Sequence, residues 1–290
     1  MKNLLSLINE RKTGFSKGQK LIADFIAKHY DKAAFMTASK LGSTVGVSES
    51  TVVRFATELG YDGYPKMQRA MQEMITDKLT SVQRIEVTQS RMSGVSVLES
   101  VLNKDVEKIR KTLEETSQED FENAVEAISR AKTIYIFAVR SSAALASFLG
   151  YYYSLIFENV KVINNYGETE VYEKLFRISA DDVIIGISFP RYSNAAIQAM
   201  TFAKRRGSKV IALTDSMSSP LVAVSDYVLI AKSDMAAVVD SLVAPLSMIN
   251  ALIVATVLKR DDEVKRTFGM LEDIWQEYDV YQNNRKDDPD

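Results

Sequence analysis

Ser48, Ser50, Thr51 and Arg54 fall within one short span of the stretch Leu41-Gly42-Ser43-Thr44-Val45-Gly46-Val47-Ser48-Glu49-Ser50-Thr51-Val52-Val53-Arg54-Phe55. Short hydroxyl side chains next to a guanidinium suit hydrogen bonding to base edges and phosphates. The surrounding spacing predicts a helix, a tight glycine turn and a second helix that can lie in the major groove of DNA. Gly42 is small where two such helices cross, and Gly46 in the turn can take the left-handed backbone conformation. Ser48 is placed to cap the second helix. Leu41, Val45, Val47, Val52 and Phe55 then fall inward, and Glu49, Ser50, Thr51 and Arg54 outward. Ser50, Thr51 and Arg54 are expected at base edges or adjacent phosphates, with Lys66 as a weaker backbone contact. The plain alternative is a helical hairpin with a glycine corner.

Three further clusters, each after a short apolar run, carry a different chemistry: Arg140-Ser141-Ser142, Ser188-Phe189-Pro190-Arg191-Tyr192-Ser193 and Thr214-Asp215-Ser216. Hydroxyls and arginines where strands open into helices can receive an anion, because free N–H groups and the helix dipole favour negative charge there. Arg140, Ser141, Ser142, Ser188, Arg191, Ser193 and Thr214 are therefore the expected contacts of a small anionic metabolite. Taken singly, the serines could be helix caps and the arginines solvated; three loops converging on one region is what favours a ligand. No cofactor or metal site is expected.

Catalytic groups are sparse. The one histidine, His29, lies in the N-terminal part, and neither His nor Cys occurs later in the chain, which excludes a Ser-His-Asp triad, a thiol nucleophile or a histidine metal site there. Glu168, Glu170, Glu173 and Asp234 remain as loose carboxylate candidates with nothing to pair them. We therefore expect no enzyme.

The elements that must position these groups change character along the chain. Up to about Met74 the pattern is helical: a stripe of Leu21, Ile22, Phe25 and Ile26 in a helix from Gln19 to Tyr30, a short helix near Ala33 to Met36, Thr37 capping the first motif helix, and a last helix with Met67, Ala70, Met71 and Met74 as packing residues. This predicts a five-helix bundle over residues 1–77. Residues 78–96 are polar and read as a linker. Helices follow over Val97 to Glu115 and Gln118 to Ala131. Apolar runs at Thr133 to Phe137, Val160 to Ile163, Asp182 to Ser188, Lys209 to Thr214 and Tyr227 to Ile230 then alternate with helices from Ser142, from Ser193 to Arg206 and after Ala236. Near-continuous apolar strands separated by helices predict a five-stranded parallel sheet covered on both faces over 97–290. Ligands of such sheets sit beyond the strands' carboxyl ends.

The 290 residues suffice for two cores, and 46% hydrophobic with 26% charged residues is an ordinary globular balance. Zero cysteines exclude disulfides and zinc-thiolate sites. Residues 1–77 carry 11 Lys+Arg against 8 Asp+Glu, and the remainder 25 against 30. A mildly basic head on an acidic body fits a DNA-binding domain joined to a small-molecule domain. The Leu4-Leu5-Ser6-Leu7-Ile8 run is too short for a signal-peptide core, so a cytoplasmic location is expected. Ala143 to Phe157 is too short to span a membrane and Ala236 to Leu258 contains Asp240, Pro245 and Asn250; both are expected as buried helices, with no membrane partner.

With both halves read, the chain resembles the RpiR family of bacterial transcription regulators, an N-terminal helix-turn-helix domain joined to a C-terminal sugar isomerase (SIS) domain. The resemblance runs from about Leu4 to Leu258. Its most specific residues are Gly46-Val47-Ser48-x-x-Thr51-Val52-x-Arg54-Phe55, Leu59-Gly60-Tyr61 and Tyr64-Pro65-Lys66. The resemblance implies a flavodoxin-like sheet that binds a phosphosugar or related metabolite and adjusts operator affinity without turnover. SIS domains usually carry Gly-x-Gly-x-Ser after the first strand, where this chain has Ala138-Val139-Arg140-Ser141-Ser142. After the third they carry Ser-x-Ser-Gly-x-Thr, where it has Ser188-Phe189-Pro190-Arg191-Tyr192-Ser193. The two arginines can pair with phosphate or carboxylate, or occlude a sugar pocket. Because one recognition helix contacts few bases, a homodimer or homotetramer reading half-sites about 34 Å apart on double-stranded DNA is expected. The rival readings are a phosphosugar isomerase with a DNA-binding head and a regulator whose SIS domain only assembles it.

Overall fold

Ser16 and Gln19 set the start of the second helix by exchanging hydrogen bonds: the serine hydroxyl accepts from the Gln19 N–H at 3.3 Å and the Gln19 side chain accepts from the Ser16 N–H at 2.9 Å. The computed structural model describes residues 4–74, 85, 96–164, 168–233 and 239–281, which fall into two compact units. The first contains α1 (Leu4–Arg11), α2 (Lys17–Ala33), α3 (Ala38–Val45), α4 (Glu49–Glu58) and α5 (Tyr64–Met74). Ile22, Ile26, Leu41, Val52, Phe55, Met67 and Met71 form the centre of its core, with the Phe15 and Phe55 rings edge to face at 5.1 Å. Each such side chain contributes roughly 1.5–3 kcal/mol through burial.

Two expectations change here. No separate helix forms over Ala33 to Met36: α2 runs on through a kink at His29 (φ −138°, ψ 39°) to Ala33, and a turn follows. The turn is held from α5. The Tyr64 hydroxyl and the Gln68 amide donate to the Met36 carbonyl at 2.7 and 2.9 Å, and Gln72 donates to that of Ala34 at 3.0 Å. These carbonyls therefore need no helical partner. The fifth helix of the bundle is α1 instead. Leu21, expected in the apolar stripe, is half exposed.

The second unit contains α6 (Val97–Glu115), α7 (Gln118–Arg130), β1 (Ile134–Ala138), α8 (Ala143–Ile156), β2 (Val160–Ile163), α9 (Glu168–Leu175), β3 (Val183–Ile187), α10 (Asn194–Arg205), β4 (Lys209–Thr214), β5 (Tyr227–Ile230), α11 (Val243–Lys259) and α12 (Asp261–Glu277). All four strand pairings are parallel and the order is β2-β1-β3-β4-β5. Alternate residues of β1 feed two cores. Ile134, Ile136 and Ala138 pack with α8 and α11 residues such as Leu149 and Ile249, while Tyr135 and Phe137 pack with Val171, Ala199 and Met200.

β2, β4 and β5 occupy the residues expected, and β1 and β3 differ by one residue at each end. The helix expected after Ala236 begins only at Val243, and α9 and α12 were not anticipated. Among the described residues no single helix is long and apolar enough to cross a membrane. Most of the expected linker, 78–96, lies outside the described residues; its last residue, Ser96, caps α6 by accepting from the Glu99 N–H at 3.4 Å. From β1 the chain steps to β2 on one side and then to β3 on the other, which opens a crevice at the carboxyl ends of β1 and β3.

Candidate DNA-binding and ligand-binding sites

The recognition motif depends on two glycines. A Cβ on Gly42 would sit 2.8 Å from the Val47 carbonyl oxygen, so only glycine lets α3 approach the turn this closely. Gly46 ends α3 at φ 77°, ψ 34°, the left-handed region, and its N–H donates to the Gly42 carbonyl. Thr37 caps α3 by accepting from Lys40 at 3.1 Å. Ser48 caps α4, accepting from the Thr51 N–H at 3.3 Å, and its hydroxyl lies 2.9 Å from those of both Ser50 and Thr51. These three hydroxyls thus form one polar cluster at the N-terminus of α4, where the helix dipole favours anions.

Arg54 is exposed, and its Nε reaches back along α4 to within 3.4 Å of the Ser50 carbonyl. Ser48, Thr51 and Arg54 share an open cleft of about 890 Å³ with Ser16, Gly18 and Gln19 from the start of α2. A Cβ on Gly18 would meet Val47 and Thr51 side chains at 3.3 and 3.4 Å, so α2 begins close against α4. Ser50 and Lys66 are exposed but do not line this cleft. The share of α2 in it was missed; the Ser16-x-x-Gln19 capping pattern was the available signal.

In the α/β unit the crevice residues differ in what they can do. Ser142 is buried at 6% exposure, and its side chain does not cap α8. Arg140 adopts φ 60°, a left-handed conformation at the place where the SIS pattern has its second glycine. A guanidinium thus stands where that pattern has no side chain. Arg140 and Arg191 are both exposed, and among the described residues their side chains make no hydrogen bond or ion pair. They follow adjacent strands, whose last residues Ala138 and Ile187 are in register. Ser141 donates to Asp240 at 3.2 Å.

Ser188 is buried and its hydroxyl accepts from the Ser193 N–H at 3.1 Å, while Ser193 caps α10 by accepting from Ala196 at 3.4 Å. Thr214 has a different part from the one expected. It is fully buried, its hydroxyl donating to the Ser188 carbonyl at 2.9 Å and lying 2.8 Å from the Ser219 hydroxyl, so it ties loops together out of a ligand's reach. Asp215 accepts from the Tyr192 hydroxyl at 2.8 Å, and burial holds its carboxyl above the usual range against the lowering effect of that bond. Lys232 donates to the Asp215 carbonyl at 3.2 Å and pairs with Glu115. Tyr192, Lys232 and Asp240 were not singled out as site residues; Lys232 follows β5, and the strand-end rule applied there would have found it. Glu170 and Glu173 are exposed on α9, while the side chain of Glu168 and all of Asp234 lie outside the described residues. Among the described residues no cluster of carboxylates and His could hold a metal.

Residues 2–78 match the helix-turn-helix domain of the rpiR family, and residues 127–255 match the SIS domain. The chain is 26% identical over 232 residues to an HTH-type transcriptional regulator of Haemophilus influenzae, covering 79% of each chain. It is 22% identical over 272 residues to one of Caldanaerobacter subterraneus, covering 92% of this chain and 94% of that one. Among solved structures, the sugar isomerase domain of an RpiR transcription factor from Sphaerobacter thermophilus matches at 30% identity and TM-score 0.58, over 61% of this chain and 98% of that one. The NanR protein of Vibrio vulnificus, solved in complex with ManNAc-6P, shares the fold at 21% identity and TM-score 0.57, over 97% of this chain and all of that one. With a glycine-cornered recognition motif ahead of a five-stranded SIS sheet, this chain belongs to the RpiR family of transcriptional regulators.

Proposed function

We propose that this regulator binds operator DNA through α4 and that its SIS domain senses a phosphosugar or closely related anionic metabolite without converting it. The observation that carries the ligand reading is Ser142. Ser142 is 6% exposed at the switch-point crevice and its side chain is not used as a cap, which leaves its hydroxyl for an incoming oxyanion. Ser188 and Ser193 shape the facing loop, and Arg140 and Arg191 supply positive charge from adjacent strands. The fold shared with a protein solved around ManNAc-6P supports the same ligand class.

In this reading Ser48, Ser50, Thr51 and Arg54 contact bases and nearby phosphates, and Lys66 contacts the backbone. The domains divide at 1–77 and 97–290 with 78–96 as linker, the protein acts in the cytoplasm where its DNA is, and it works as a homodimer or homotetramer. The reading without turnover rests on how the strand-end groups are used: serine hydroxyls and two guanidiniums are left to bind an oxyanion, the Asp215 carboxyl is taken up by the Tyr192 hydroxyl, and proton abstraction from a sugar needs an acid and a base matched in position and pKa. A ligand shifts the DNA equilibrium only through unequal affinity for two protein states. The test is a thermal-shift panel of sugar phosphates and small carboxylates, followed by gel-shift titration with and without each hit and a turnover assay on it. A phosphosugar that stabilises the protein, changes operator affinity and stays unconverted supports the proposal; conversion of the sugar overturns it.

A further inference from the structure

Helix α6 is built inside out. Its inward side is polar: Lys108 and Thr112 are its buried residues, and Asp105 lies beside them. That side is fastened to the α/β body by hydrogen bonds. Ser241 donates to Asp105 at 2.7 Å, the Lys232 N–H donates to the Thr112 hydroxyl at 2.8 Å, and Thr116, just past the helix, donates to the Ile230 carbonyl at 2.8 Å. The outward side is aliphatic. Leu98, Leu102, Val106, Ile109 and Leu113 recur at helical spacing and are 40–82% exposed. A contiguous aliphatic row rimmed by charged residues is the kind of surface that marks an interaction site.

We infer that a second copy of this chain covers the stripe, with the two α6 helices antiparallel about a two-fold axis between Asp105 and Val106. An isologous contact requires that when one residue meets another, the second also meets the first. The stripe satisfies this at one centre: Leu98 falls opposite Leu113 of the other copy and Leu102 opposite Ile109. Charge agrees with it. Glu99 and Arg110 lie on the same flank of the stripe, and in this pairing each comes within two residues, about 3 Å along the axis, of the other's opposite position. A regulator that reads DNA with one helix per chain also needs a second copy to span two half-sites. That last support rests on the operator reading, whereas the stripe and its self-complementarity do not.

The test uses the full chain without DNA, so its failure is separate from any failure of DNA or ligand binding. Light scattering at micromolar concentration is expected to give twice the 32.4 kDa chain mass, or an even multiple. The double variant Leu102→Glu, Ile109→Glu is expected to halve that mass while circular dichroism keeps its helical signal, because neither residue belongs to the buried core of the unit. A wild-type monomer, or a double variant of unchanged mass, overturns the proposal. Because the chain has no cysteine, single cysteines report the geometry independently. Co-expressed Leu98→Cys and Leu113→Cys chains should cross-link to each other under mild oxidation at least several-fold more than either does to itself. Preferential self-linking of Leu98→Cys would mean a parallel contact and would overturn the antiparallel pairing.

Discussion

The Ser193 backbone N–H donates to the Ser188 hydroxyl at 3.1 Å, folding the loop after β3 back over the end of its own strand. The hydroxyl that the sequence offers as a ligand contact is therefore also the clamp that shapes the loop. Ser188→Ala should leave a part-buried N–H without its acceptor, costing about 1–3 kcal/mol, and should weaken anion binding as well. Urea unfolding together with ligand-induced thermal shift checks both; loss of binding with no loss of stability would contradict the clamp.

Ser142 offers the contrasting case. Its side chain caps nothing, so Ser142→Ala should leave the unliganded melting temperature within about a degree while reducing the shift produced by a phosphosugar, consistent with loss of a charge-assisted hydrogen bond of roughly 1.5–3 kcal/mol. A full ligand response in this variant would move the site elsewhere.

Arg54→Ala should lower operator affinity on the order of tenfold or more, from the ~1–3 kcal/mol of a good base contact. Stability should hold, because Arg54 is exposed. Gel-shift titration at fixed salt on the promoter-proximal duplex is the measurement.

Gly46→Val forces a β-branched residue to φ 77° and should cost about 1–2 kcal/mol or more. The helical unit should melt earlier and DNA binding should fall with it. Calorimetry would resolve the earlier transition, and an unshifted one would argue against the strained turn.

The raised proton affinity of Asp215 has a definite sign. The fold holds this proton more tightly than the unfolded chain does, so the group works against stability above its folded pKa, and that penalty fades as pH falls toward the ordinary value of 3.8. Asp215→Asn keeps an acceptor for Tyr192 and should melt higher than wild type at pH 7, by roughly 2–4 °C per kcal/mol relieved, with the gap closing toward pH 4. A gap that is constant with pH would assign the effect to something other than titration.

Much of this protein was legible in its residues because the signals are local. Gly42, Gly46 and Ser48 fix the recognition motif through backbone conformation and capping, which depend on neighbours a few positions away. Apolar runs such as Val160 to Ile163 and Lys209 to Thr214 declare buried parallel strands by composition alone. What the sequence could not decide depends on distant partners. Whether Ala33 to Met36 forms a helix is settled by Tyr64, Gln68 and Gln72 arriving from α5 to take its carbonyls. Ser142 and Thr214 look alike as strand-end hydroxyls, yet packing buries Thr214 completely in a network with Ser188 and Ser219, while leaving Ser142 without a cap to make. Nor does the pattern of α6 say which side faces in. An amphipathic helix normally buries its apolar stripe, and only the hydrogen bonds at Asp105 and Thr112 turn the polar side toward the body and leave the aliphatic side outward.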